Sequence, residues 1–239
     1  MEYCSSTCLH KYFPEENCNK VIKLGSSKNK NIGYVHDNSL IIEREAKDWT
    51  EEHLYGVAIN RDKLRRDNWL LDQISLINHK NIMRIYSYCN CSVEVEYIDG
   101  WIFNSHKPSY ILFDKAYQLD YLDICSKREL LNSIKTIIKS LCVIHSFNLI
   151  HTDLTDFNVM VRRSTKDPVI IDLLGMIPNN HGVFNERMDI WVFVHHFLVP
   201  TLTRLHICKS KEIIEIFTDY NYKEIIGFVE DLYKKMLQI

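Results

Sequence analysis

The spacing of apolar residues changes character near the middle of the chain. From Glu129 to Ser146, Leu130, Ile134, Ile137, Ile138, Leu141 and Ile144 recur at steps of three and four. That is the period of one helix face, so a long amphipathic helix is predicted, with Lys135 and Lys139 on its solvated side. Val159-Met-Val161 and Val169-Ile-Ile171 are short apolar runs separated by a charged turn, which predicts a hairpin. Arg187 to Leu205 is apolar almost throughout and reads as a buried helix; two more helical stretches follow near 209–218 and 222–238. Ahead of residue 114 the runs are shorter. Lys20–Leu24, Ser39–Ile42, Tyr55–Ile59, Ile82–Tyr86, Ser92–Tyr97 and Tyr110–Phe113 read as strands. Residues 61–78 read as a helix, with Leu64, Leu71, Ile74 and Ile77 on one face.

Strands first and helices afterwards make an α+β chain. A β-rich first lobe over about 1–114 and a helical second lobe over about 115–239, joined near 114–120, are expected within one domain. Composition adds exclusions. Apolar residues make up 46% of the 239 and charged ones 25%, an ordinary globular balance with no disordered tract. A net charge of −2 gives no electrostatic reason to expect nucleic acid as a partner. No apolar run nears the roughly 20 residues of a membrane span. Eight cysteines without C-x-x-C spacing, behind a start (Met-Glu-Tyr-Cys-Ser-Ser) that is neither basic nor apolar, predict reduced thiols in the cytoplasm or nucleus.

Three polar residues sit where chemistry could gather. Asp153 follows the long helix on a loop, Asn158 comes just before the first hairpin strand, and Asp172 comes directly after the second. A hairpin brings its outer ends together, so Asn158 and Asp172 should converge beside the Asp153 loop. Two carboxylates and an amide oxygen suit Mg²⁺ with bound phosphates, and leave one carboxylate to take a proton from an attacking hydroxyl.

Leu149-Ile-His-Thr-Asp-Leu-Thr-Asp-Phe-Asn-Val-Met-Val161, then Val169-Ile-Ile-Asp-Leu-Leu-Gly175, resembles the catalytic loop and metal motif of the protein-kinase superfamily. The match extends over roughly 80–200, with Val143-Ile-His-Ser at the end of the preceding helix and Asp189 opening the central helix. The resemblance implies a two-lobed protein-kinase-like fold and an ATP- and Mg²⁺-dependent phosphotransferase acting on a protein serine or threonine. Asp153 would be the catalytic base, and Asn158 and Asp172 the metal ligands. His151 would pack under the loop, and Asp189 would hold the loop backbone by hydrogen bonds. Tyr110-Ile-Leu-Phe-Asp114 is similar to the last strand and hinge, which would put Asp114 and Ala116 beside the nucleotide.

Departures narrow the likeness. Thr155 stands where Ser/Thr kinases usually carry lysine, Gly175 is displaced by one from D-F-G, and only 17 positions separate Asp172 from Asp189. These resemble compact atypical kinases of the Bud32, haspin and lipopolysaccharide-core kinds, and imply no control by activation-loop phosphorylation. For the phosphate-binding lysine two registers stay open. One pairs Lys23 with Glu45. The other uses Leu24-Gly-Ser-Ser27 to Val35 as the phosphate loop and Val57-Ala-Ile-Asn60 as the lysine strand, with Asn60 in place of lysine and Asp67 or Asp72 in place of the helix glutamate. A small-molecule or glycan kinase and a pseudokinase scaffold are the alternatives. His195-His196 lies in an apolar helix and reads as packing.

Overall fold

A computed structural model describes residues 20–24, 31–36, 39–43, 52–54, 57–59, 68–88, 92–104, 120–179, 184–217 and 219–237. The chain forms two compact units, the first from Met1–Asn78, Met83–Asp99 and His106–Gln118, the second from His79–Ile82, Gly100–Ser105 and Leu119–Ile239.

The first unit is the strand-rich one. Its strands are β1 (Lys20–Leu24), β2 (Asn31–His36), β3 (Ser39–Glu43), β4 (Glu52–Leu54), β5 (Val57–Ile59), β6 (Ile85–Tyr88) and β7 (Ser92–Glu96), with helix α1 (Asn68–Ser75) between β5 and β6. Five make an antiparallel sheet in the order β1-β2-β3-β7-β6, while β4 and β5 pair as a separate hairpin. In β7 the alternation seen in the sequence becomes a two-faced strand: Val93 and Val95 are buried and Glu94 and Glu96 are not. The expected face of α1 holds, since Leu71, Ile74 and Ile77 are all buried. Its described extent is shorter than the expected 61–78, and Leu64 lies outside the described residues. β2 is an additional strand, and the expected Tyr55–Ile59 strand is described over Val57–Ile59 as β5, paired with β4.

The second unit carries the long helix α2 (Lys127–Ser146), strands β8 (Gly100–Ile102), β9 (Leu149–Ile150), β10 (Val159–Arg162), β11 (Pro168–Ile170) and β12 (Ile177–Pro178), and helices α3 (Glu186–Phe193), α4 (Val199–Arg204), α5 (Ser210–Ile214) and α6 (Tyr222–Leu237). Ser126 caps α2 in a reciprocal capping box with Glu129, satisfying two orphan donors at the helix start. The six apolar residues predicted for its inner face are all at most 1% exposed. Asn148 follows the helix with φ 58°, the left-handed turn asparagine tolerates, and the chain leaves directly into β9.

β10 and β11 form the expected hairpin, and β8 adds to it in the order β11-β10-β8. The pairing of β8 with β10, together with the Asn81 amide on the Pro168 carbonyl and the Ile170 N–H on the Asn81 carbonyl, explains one departure. Residues 79–82 and 100–105 group with the second unit, although the expected boundary near 114 placed them in the first. Gly100 is required at this contact: a Cβ there would stand 2.2 Å from the Val161 carbonyl oxygen. The single helix expected over Arg187–Leu205 is helical throughout, but Val194–Leu198 between α3 and α4 is a π turn. Pro200 lies in the first turn of α4 and has no N–H to give, so the wider turn ahead of it absorbs the missing bond.

Candidate active site

Elementary chain geometry assembles the site within the second unit. Val159 pairs with Ile170 across the hairpin, and the Ile171 N–H donates to the Asn158 carbonyl at 2.9 Å. Asn158 and Asp172 therefore emerge at the same end of the hairpin, as its closure requires. The turn Asp156–Asn158 is a single 3-10 turn running straight into β10. Its entry is fixed by the Thr155 N–H on the Asp153 carbonyl (2.8 Å) and the Asn158 N–H on the Thr155 carbonyl (3.1 Å).

Side chains then lock two of the predicted residues together. Asn158 Nδ2 donates to the Asp153 carbonyl at 2.8 Å and to Asp153 Oδ2 at 3.1 Å. Because both acceptors are oxygens, the amide orientation is settled, and Oδ1 is the atom Asn158 can offer a cation. Asp172 is exposed and adopts φ 58° and ψ 45° at the head of the Leu173–Gly175 turn. That is left-handed backbone, which aspartate tolerates better than most residues.

The loop is held from below. Asp189, 1% exposed at the start of α3, accepts the His151 N–H on Oδ2 and the Thr152 N–H on Oδ1, each at 2.8 Å. A third donor is His145 Nε2, also 2.8 Å from Oδ2. With that nitrogen protonated, His145 Nδ1 accepts from the Tyr222 hydroxyl at 2.6 Å. Desolvation pushes the Tyr222 phenol well above its ordinary range, with the neighbouring Cys142 adding to the effect. It therefore stays a donor across ordinary pH. Asp189 does what the resemblance implied for it. His151 is buried beneath the loop as expected; its Nε2–H donates to the Ile171 carbonyl at 3.0 Å, tying the loop to the end of β11. Its Nδ1 is buried with no partner among the described residues.

Three participants escaped the sequence reading. Thr152 takes φ 67°, unusual for a β-branched residue, and its hydroxyl donates to the Gly175 carbonyl at 3.3 Å. Tyr222 reaches the loop from α6 through His145, across 77 positions of sequence, and no local pattern announces that. Asp156 is a buried carboxylate paired with the Asn104 amide; its place inside the motif was the only signal. Among the described residues no three His, Cys, Asp or Glu side chains gather as a metal cluster. Any metal held here would rest on carboxylates together with the Asn158 amide oxygen.

The residues expected beside the nucleotide fall mostly outside the described residues. Lys23 lies in β1, an edge strand of its sheet. Glu45, Asp114, Ala116 and the expected strand Tyr110–Phe113 lie outside the described residues, as do Asn60 and Asp67. Asp72 in α1 accepts from the Tyr88 hydroxyl.

Comparison with known proteins agrees with this geometry. The family model of the RIO domain matches residues 109–203, a span that includes the loop, the hairpin and α3. The EKC/KEOPS complex subunit bud32 of Dictyostelium discoideum is 35% identical over 71 residues, covering 28% of each chain. Calcium-dependent protein kinase 4 of Plasmodium falciparum is 20% identical over 179 residues, covering 73% of this chain and 29% of its own. The chain spans less than a third of the length of the curated relatives it matches. Taken with the mixed α+β architecture and the loop pinned by Asp189, these matches make the chain similar to the RIO domain and to Bud32-like, atypical proteins of the protein-kinase-like superfamily.

Proposed function

We propose that the chain is an ATP- and Mg²⁺-dependent phosphotransferase that moves the γ-phosphoryl group to a protein serine or threonine hydroxyl, with Asp153 as catalytic base. The carrying observation is the coupling of Asp153 to Asn158 on a loop whose backbone is fixed by Asp189. An N–H on Oδ2 orients the Asp153 carboxylate, which accepts the hydroxyl proton as that oxygen attacks phosphorus. Asn158 Oδ1 and the exposed Asp172 carboxylate are hard oxygens of the kind Mg²⁺ takes alongside phosphates and water. Bound there, the metal would neutralise charge on the phosphate oxygens. Most of the rate would come from positioning, which is what the buried hydrogen bonds under the loop supply.

Lys23 with Glu45 as the phosphate-binding pair, and Asp114 and Ala116 beside the adenine, complete the proposal, as does the view that residues 1–239 act as one two-lobed domain. The cytoplasmic or nuclear setting belongs to it too, supported by eight cysteines that lack C-x-x-C spacing. The Dictyostelium relative is named as a complex subunit, which supports partner proteins here. One observation favours a second reading, a small-molecule or glycan kinase. The Leu173–Gly175 turn passes almost directly into β12, which pairs back on β9, so little chain is left to seat a peptide.

A thermal-shift titration with ATP, with and without Mg²⁺, tests nucleotide use. Mg²⁺–ATP at one hundred times its dissociation constant should stabilise the protein by about 2.7 kcal/mol. Asn158→Ala and Asp172→Ala should remove the Mg²⁺-dependent part. No shift in the wild type would overturn the proposal. Phosphoryl label appearing on sugar rather than protein hydroxyls would select the second reading.

A further inference from the structure

Inside the catalytic loop lies a buried acid that the proposed chemistry does not use. Asp156 opens the 3-10 turn that ends at Asn158, and it is 1% exposed. Its carboxylate accepts from the amide nitrogen of Asn104, a residue 0% exposed just beyond β8. The Asn104 oxygen in turn accepts from Arg204 at the end of α4. Arg204 is itself anchored: Nη1 donates to Asp120 Oδ2 at 2.8 Å and Nη2 to Asp123 Oδ1 at 2.6 Å. Three other stretches of sequence thus converge on one turn.

The chemistry of the relay is directional. A guanidinium on its oxygen and a carboxylate on its nitrogen polarise the Asn104 amide in the same sense, so each hydrogen bond strengthens the other. Both ends are needed. Without an acceptor at Asp156, the buried Asn104 amide loses a hydrogen bond where water does not reach to replace it. Asn158 is two residues from Asp156 in the same turn, and β10 holds its far side. The relay therefore fixes the near side of the turn, and with it the direction in which Asn158 presents Oδ1.

We propose that Asp156, held by Asn104 and Arg204, is a positioning residue that sets the turn presenting Asn158 to the metal; this rests on the metal role proposed above for Asn158. Asp156→Leu keeps roughly the shape and removes the acceptor, while Asp156→Asn keeps an acceptor oxygen for Asn104. Two readouts separate this from simple loss of fold. In hydrogen exchange on the unliganded protein, Asp156→Leu should speed exchange of the 149–161 peptide at least tenfold and leave the 130–144 peptide of α2 unchanged. In phosphoryl-transfer assays it should raise the Mg²⁺ needed for half-maximal rate at least threefold. Asp156→Asn should stay within threefold of wild type in both. Unchanged exchange in the loop peptide, equal acceleration in both peptides, or an unchanged Mg²⁺ requirement in an active variant would each overturn the inference. Should the wild type transfer no phosphoryl group, the kinase reading falls, and the exchange experiment still decides whether Asp156 sets the loop.

Discussion

Thr152 has a backbone conformation that a β-branched side chain rarely adopts, and such residues persist only where their surroundings over-determine them. Here the restraint is Asp189, whose two oxygens take three donors while it is almost wholly buried. Asp189→Ala leaves two loop N–H groups and the His145 ring without their acceptor. A buried donor left unmet costs about 1–3 kcal/mol, so with three of them urea denaturation should show a loss of about 3 kcal/mol or more. A loss under about 1 kcal/mol, the worth of one ordinary hydrogen bond, would mean Asp189 does not hold the loop. A second residue-scale consequence concerns pH. Burial, and secondarily His196, holds the His195 imidazole below its ordinary value of 6.5. The unfolded chain therefore takes up this proton first. The stability contributed by neutral His195 is fully present above pH 6.5 and is lost as the pH falls from there toward the lower folded value. Wild type should lose more stability than His195→Gln between pH 7 and pH 5; equal losses would contradict this.

At the scale of elements, the strongest constraints are close approaches rather than propensities. Gly100 lets β8 lie against β10, the strand that leads out of the catalytic loop. Gly100→Ala would press a methyl group against the Val161 carbonyl, and overpacking of this kind typically costs about 1–3 kcal/mol. A thermal melt should register that as a clear fall in Tm, whereas an unchanged Tm would mean the strands separate freely. The sequence announced those elements whose burial is local and periodic. α2 was legible because six apolar residues share one face, while the Ser126 cap at its start emerged only with the structure. The β10–β11 hairpin was legible because two apolar runs flank a charged turn. Less legible was the place of β8, since Gly100-Trp-Ile102 carries no alternation and its partner lies some sixty positions away. The π turn over Val194–Leu198 was hidden as well, because every residue around it suits an ordinary helix and only Pro200 hints otherwise.

Across the whole molecule, the split between what could and could not be read follows the same physics. Asp153, Asn158 and Asp172 sit within one local motif, and the hairpin register alone brings the last two to a common end. Tyr222, Asn104 and Arg204 support that motif from distant sequence, so only the folded chain reveals them. Both groups serve one purpose in this account: a carboxylate oriented by an amide, on a loop that buried polar groups keep from moving. The most direct test is transfer of label from γ-³²P-ATP, with Mg²⁺, to a mixture of protein acceptors, comparing the wild type with Asp153→Asn, which preserves shape and removes the proposed base. The wild type should transfer label and the variant should lose at least a hundredfold, in line with the 10²–10⁴-fold that a positioned base contributes, with Mg²⁺–ATP binding retained. Equal transfer by both proteins would contradict it.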